Sequence, residues 1–336
     1  MKTDFSWAQL LHLGTNMWID RKMRPGEDLG QYGREYYYIG DELRFDESLW
    51  REVTAEMKDA GFNMVIIDLG EGLVYPSHPE LAIKGSWPAE KMRAECRRLR
   101  ALGLEPVPKL NFSACHDIWL GEYEKMLSTP TYRKVCAELI ADVCEIFEKP
   151  RYFHLGMDEE TASQQDIYDY IAVRSPCLWW QDLLSHVNAV EKQGARAMIW
   201  GDACWCTPSF HERLPKSVLP MNWYYWNDVR EIADKTLLPA PKGERRPGRA
   251  GENHVAELRG FVELERAGFD QFPCCSNWDN DGNMAAIVEY CRKVISPEHL
   301  KGFLFAPWAL TVRKWGAPEK IRDSIRLARE IIRMDN

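Results

Sequence analysis

Short apolar runs alternate with helix-patterned stretches along nearly all of the 336-residue chain. Residues 10–18 form the first strand-like run. After a polar and aromatic loop, residues 46–60 place Leu49, Val53 and Met57 at a helical spacing of four and stop at Gly61. The same phrase then recurs. Strand-like runs fall at 63–68, 104–112, 152–156, 195–200, 218–225, 272–276 and 303–308. Helical patterns follow at 88–103, 131–147, 178–194, 255–267, 284–294 and 318–334, with only a short segment after the fifth strand.

Eight such units imply parallel strands joined by crossovers, and they predict a single-domain (β/α)8 TIM barrel. A doubly wound open sheet would place a glycine-rich phosphate loop after the first strand, where this chain reads Gly14-Thr-Asn-Met-Trp-Ile-Asp20. Pro106, Pro108, Pro220, Pro273 and Pro307 fall inside the runs, so those strands are expected to be short or irregular. The longest loops are expected at 19–45 and 226–253, the second containing an exposed Pro-, Gly- and Arg-rich stretch at 239–251.

The net charge of −8, with no basic run, argues against nucleic acid or an anionic membrane as partner. Nowhere do about eighteen apolar residues run together, and the first residues lack a signal-peptide pattern, so a cytoplasmic protein is expected. The ten cysteines include no CxxC pair and fall where small buried hydrophobes belong. Cys204-Trp-Cys206 is too thin for a metal site, and neither metal nor cofactor is expected.

Chemistry concentrates at 151–161, where an apolar run ends in Asp158, Glu159 and Glu160. Adjacent strand residues point to opposite faces, so two neighbouring carboxylates share a cavity only where the strand gives way to a loop. Gly156 permits close approach at the same place. An acid-rich surface turn is the competing interpretation. The residues after the other runs decide against it: Asn16 and Trp18, Asp68 and Glu71, Asn111 and His116, Trp200 and Asp202, Asn222 and Trp223, Trp278 and Asp279, and Trp308. Barrel sites form at these carboxyl ends. Carboxylates among tryptophans suit a pyranose, with its apolar face and its hydroxyls, and 14 Trp and 13 Tyr supply such walls. Glu159, crowded by Asp158, has the setting of a carboxylic acid that protonates a glycosidic oxygen.

The segment His154-Leu-Gly-Met-Asp158-Glu159 resembles the His-x-Gly-x-Asp-Glu signature of family 20 glycoside hydrolases, the β-N-acetylhexosaminidases. Asn63 with His78-Pro-Glu-Leu81 and Gly85 is similar to that family's second-strand region, and Pro108 to His116 to its third-strand motif. The resemblance implies a substrate-assisted reaction, in which the sugar's 2-acetamido oxygen attacks its own anomeric carbon. It assigns Glu159 as general acid and base, Asp158 as the group orienting the acetamide, and His116, with Asp68 or Glu71, as tuning Glu159. It further implies a carbohydrate pocket drawing on His154, Asp68, Glu71, Asn111, Trp200, Asp202, Trp223, Tyr225, Trp278, Asp279 and Trp308. The chain departs from the family in three places. Asn16-Met-Trp18 stands where an arginine is usual, leaving Arg21 the nearest candidate. Asn277-Trp278-Asp279 stands for Tyr-x-Asp, with Tyr224 or Tyr225 as substitutes, and Leu310 stands for a glutamate. The alternatives are a retaining glycosidase using Asp279 or Asp281 as nucleophile, a metal-dependent barrel built on His12, His116, Asp68 and Asp202, and a barrel that only binds glycans.

Overall fold

The computed structural model describes residues 5–27, 35–207, 209–241, 248 and 250–335. Eight parallel strands form its centre: β1 (Ser6–His12), β2 (Met64–Asp68), β3 (Glu105–Lys109), β4 (Tyr152–His154), β5 (Arg196–Trp200), β6 (Leu219–Met221), β7 (Cys274–Cys275) and β8 (Gly302–Phe305). They pair in the order β6-β5-β4-β3-β2-β1-β8-β7. The remaining seam, between β6 and β7, is held by Phe272 N–H to Pro220 O at 3.2 Å, Cys274 N–H to Asn222 O at 2.8 Å and a bridge from Trp223 to Cys274. The (β/α)8 barrel expected from the alternation is the fold observed.

Helices cover the outside: α1 (Glu47–Ala60), α2 (Ala89–Ala101), α3 (Pro130–Ile146), α4 (Pro176–Lys192), the short α5 (Ala203–Cys206) and α6 (Phe210–Arg213), α7 (Val229–Leu237), α8 (His254–Arg266), α9 (Asn283–Val294) and α10 (Ala317–Asp335). Their ends follow local chemistry. Asp46 caps α1 by accepting from Leu49 N–H, and Gly61, at φ 97°, closes it in the left-handed conformation. The expected 226–253 loop contains α7, whose buried Val229, Ile232 and Thr236 make it amphipathic. Part of the 239–251 stretch, residues 242–247 and 249, lies outside the described residues, as do 28–34 of the first long loop.

The strands are shorter than their apolar runs, and proline explains one case. Leu110 N–H donates across to β4 at His154 O, whereas Glu105 N–H donates towards β2 at Asn63 O. By this alternation, Pro106 and Pro108 lack their N–H on the β4 side, and β3 pairs with β4 only through Lys109 and His154. The first strand begins earlier than expected, at Ser6, and gives way before Trp18. Gly14 then runs so close to β2 that a Cβ there would lie 2.3 Å from Leu69 O. The ten cysteines are unbridged, and eight are buried. No described helix is long and apolar enough to cross a membrane.

His12, Asp68, Lys109 and His154 end β1 to β4 in one register, all buried. Lys109 Nζ lies 2.5 Å from Asp68 Oδ2, and His12 Nδ1 3.6 Å from the same oxygen. Burial lowers His12 to about 4 against the pull of Asp68, and pushes His154 well below the ordinary imidazole range. The layer therefore holds one ion pair between two neutral imidazoles. Lys109→Met leaves Asp68 charged and unpaired in the barrel, and should cost ~3–5 kcal/mol in urea unfolding. Lys109→Met with Asp68→Leu should recover most of that loss.

Candidate active site

The chain leaves β4 at His154 through a turn with positive φ at Gly156 (71°), Met157 (74°) and Glu159 (56°). Left-handed conformations cost non-glycine residues roughly 1–3 kcal/mol each unless their surroundings enforce them. Here four side chains do so. His154 Nδ1 accepts from Gly156 N–H at 3.0 Å. Asn111 Oδ1 accepts from Met157 N–H at 3.3 Å and Ser113 N–H at 3.0 Å, while its Nδ2 donates to Asp158 Oδ1 at 2.9 Å. Ser113 Oγ donates to Asp158 O, and Asp202 Oδ2 accepts from Glu159 N–H at 2.9 Å. A Cβ on Gly156 would lie 1.9 Å from Asn111 Oδ1, so only glycine lets Asn111 reach across.

This turn brings both carboxylates to one imidazole. His116 Nε2 is 3.4 Å from Glu159 Oε2 and 3.7 Å from Asp158 Oδ2, while Nδ1 lies 3.2 Å from Met17 O. Burial alone would lower His116, but Asp158 and Glu159 outweigh it and raise it to about 9. Burial, with Glu159 adding to it, pushes the Asp158 carboxyl up, and His116 opposes the rise. Burial and the charge of Asp158 push Asp202 up to about 8. His116, Asp158 and Glu159 have donor atoms within 4.8 Å of one another, close enough to grip a cation. The high proton affinity of His116 competes with that use.

Aromatic rings continue from the acids around the mouth. Trp200 and Trp308 lie 5.8 Å apart, Trp308 and Tyr225 6.4 Å, and Tyr225 stacks on Trp223 at 4.9 Å. On the other side His12 joins Trp308 at 6.0 Å to Trp18 at 5.8 Å. The indole N–H of Trp200 is buried without a hydrogen-bond partner among the described residues. Tyr225 places its hydroxyl 3.4 Å from Cys274 Sγ, and burial, with Asp158 among the charges acting on it, raises its pKa. Tyr224 points elsewhere, to Asp228.

Several residues expected at the site are placed apart from Glu159. Asp68 pairs with Lys109. Glu71 accepts from Thr15 N–H at 2.7 Å and Asn16 N–H at 3.0 Å, holding the turn after β1. Asn16 in turn pins the first long loop through both polar atoms to Gly40, and Arg21 pairs with Glu27. His154 lies below the turn it fixes. Trp278 and Asp279 are exposed on the rim, where Asp279 and Asp281 act on Lys320 of α10. The metal set imagined on His12, Asp68, His116 and Asp202 is divided between the Lys109 layer and the acid cluster. Glu160, the third acid, is spent on Arg174, which also reaches Asp182 at 3.1 Å. Lys109 and Ser113 are the residues the sequence did not single out. A lysine at an inward strand position was the available signal for the first.

No family model matches the chain, and no curated protein matches it. Solved structures do. A β-N-acetylhexosaminidase from Bacteroides fragilis superposes with a TM-score of 0.60 at 12% identity, over 97% of this chain and 65% of that one. A GH20 exo β-N-acetylglucosaminidase from Vibrio harveyi, in complex with N-acetylglucosamine, gives 0.58 at 10% identity, over 96% and 54%. Dispersin B gives 0.54 at 14% identity, over 86% and 95%. The chain spans less than two thirds of the first of these, and at such identities the likeness is one of fold.

His116 gives the site a measurable signature. Its folded pKa, about 9, lies above the ordinary 6.5, so its contribution to stability is complete below about pH 6.5 and is lost as pH rises through about 9. Urea titrations should show the native chain losing stability over that window relative to His116→Asn.

Proposed function

We propose that the protein is a glycoside hydrolase that removes N-acetylhexosamine residues by substrate-assisted catalysis. The observation that carries this reading is the turn at 156–159, which holds adjacent carboxylates against one imidazole. Asp158, fixed by Asn111, accepts the acetamide N–H and aims its carbonyl oxygen at the anomeric carbon. Glu159 gives a proton to the glycosidic oxygen as that bond breaks, and a C–O bond forms from the acetamide to give an oxazolinium ion. Glu159 then takes a proton from water, which opens the ring with net retention. His116, held cationic, lowers the cost of keeping Asp158 ionised in a buried place. Trp200, Trp223, Trp308 and Tyr225 supply apolar walls for the acetamide and the pyranose. The family-like signature and the shared fold of the hexosaminidases support this reading.

A protein nucleophile is less well supported, because Asp279 and Asp281 are exposed and directed towards the basic residues of α10. The test is hydrolysis of p-nitrophenyl β-N-acetylglucosaminide and β-N-acetylgalactosaminide against the plain glucoside and galactoside. Turnover confined to the acetamido sugars is expected. Glu159→Gln should lower kcat by ~10²–10⁴-fold, and Asp158→Asn should do so without changing the preference for a good leaving group. Comparable turnover of plain glycosides would point to a carboxylate nucleophile.

A further inference from the structure

Three consecutive residues after β3 are fastened to three consecutive residues after β4. Ser113 Oγ donates to Asp158 O, Cys115 Sγ donates to Glu159 O at 2.8 Å, and Ala114 N–H donates to Glu160 Oε2 at 3.0 Å. His116 is the next residue of the first segment, and Asp158 and Glu159 are the acids it faces. The spacing of imidazole and acids is therefore set by how the two segments lie against each other. Both lie beyond the ends of their strands, so side chains must supply the registration that ladder hydrogen bonds supply inside the sheet.

One buried cation governs this fastening. Arg174 stands just before Ser175, the cap of α4, and its side chain and that of Glu160 are only 1% and 5% exposed. Its Nε lies 2.9 Å from Glu160 Oε1 and 3.0 Å from Oε2, its Nη2 donates to Phe112 O at 2.8 Å, and its Nη1 reaches Asp182 Oδ2 at 3.1 Å. Arg174 thus grips the β3 segment at Phe112 directly and at Ala114 through Glu160. The guanidinium is a rigid fork of donors, so its partners cannot shift independently. A buried ion triad adds little stability over apolar residues of the same volume, because desolvation offsets the attraction. Its effect here is on geometry. Without Arg174 the Glu160 carboxylate is a buried, unpaired charge, and turning it towards water releases Ala114 N–H, two residues from His116.

We propose that Arg174 is a positioning residue of the active site, which through Glu160 and Phe112 sets the separation of His116 from Asp158 and Glu159. Its catalytic consequence rests on the hexosaminidase reading, whereas the geometry can be measured without turnover. The charged groups that act on His116 are Asp158 and Glu159 from the turn and Lys109 from β3, so the imidazole reports the spacing. Removing the Arg174 charge alone would raise the proton affinity of His116, and moving the two acids away would lower it. The sign of the change separates the two effects.

The experiment uses Arg174→Met combined with Glu160→Leu, which removes both charges and leaves Asp182 paired with Arg133. An NMR titration of isotope-labelled histidine, with the signal assigned by His116→Asn, should show the His116 midpoint falling by about one unit or more in this variant and in Arg174→Met alone. With p-nitrophenyl β-N-acetylglucosaminide as substrate, kcat should fall ~10–100-fold while KM changes little. The double variant should be no worse than Arg174→Met, because the two side chains act as a unit. Arg174→Lys keeps the charge without the fork, and should fall between the native chain and the double variant in both readouts. It serves in place of the apolar pair if that pair does not fold, and native values for it overturn the inference. Asp182→Asn disturbs the triad on its helix side and should leave both readouts native. An unmoved or raised His116 midpoint overturns the inference, as does native kcat in the double variant or an equal loss in Asp182→Asn. A native chain without turnover would sink the hydrolase reading and leave the titration to decide the role of Arg174.

Discussion

Asn111 is the side chain on which the site depends. Its amide oxygen holds Met157 and Ser113 N–H groups, and its amide nitrogen holds the Asp158 carboxylate. Two adjacent residues of an extended chain would send their carboxylates to opposite faces. The left-handed turn cancels that divergence, and Asn111 can enforce it only because Gly156 has no side chain in the way. Asp202 completes the constraint from β5 by holding Glu159 N–H. Three strands therefore meet on one turn, and the barrel fixes their spacing.

The constraint has an electrostatic counterpart. Packing Asp158, Glu159 and Asp202 together is unfavourable in a place sheltered from water, and the molecule answers it in two ways. His116 takes on a proton that burial alone would deny it, and Asp202 keeps the one it would ordinarily lose. Three other buried acids near the strand ends are answered locally. Asp68 has Lys109, Glu160 has Arg174, and Glu71 is satisfied by the backbone of the turn after β1. Asp158, Glu159 and Asp202 are held together by the turn instead, through Asn111, His116 and the Glu159 N–H.

The barrel was legible because its signal is collective: eight apolar runs alternating with helical patterns admit few topologies, whatever the error at each boundary. Boundaries were less so, since an apolar run continues past the last paired strand residue into the buried turn that follows, as at Leu13 and Leu155. Asp158, Glu159 and His116 were visible from residue type and order. Asp68 and Glu71 looked equally suitable, because sequence gives the end of a strand but not which neighbour will claim a charge there. Lys109 claimed Asp68, and two backbone N–H groups claimed Glu71. The role of Gly156 was visible as an absence of side chain, but Asn111 as its beneficiary needed the distance across two strands.

The central claim is that the nucleophile belongs to the substrate and that Asp158 aims it. Fluorination of the acetamide tests it most directly, because each fluorine withdraws electron density from the oxygen said to attack. Measured kcat/KM for aryl β-glycosides carrying acetyl, fluoroacetyl, difluoroacetyl and trifluoroacetyl groups should fall steeply and monotonically through the series. A rate independent of fluorine number would place the nucleophile on the protein and contradict the account.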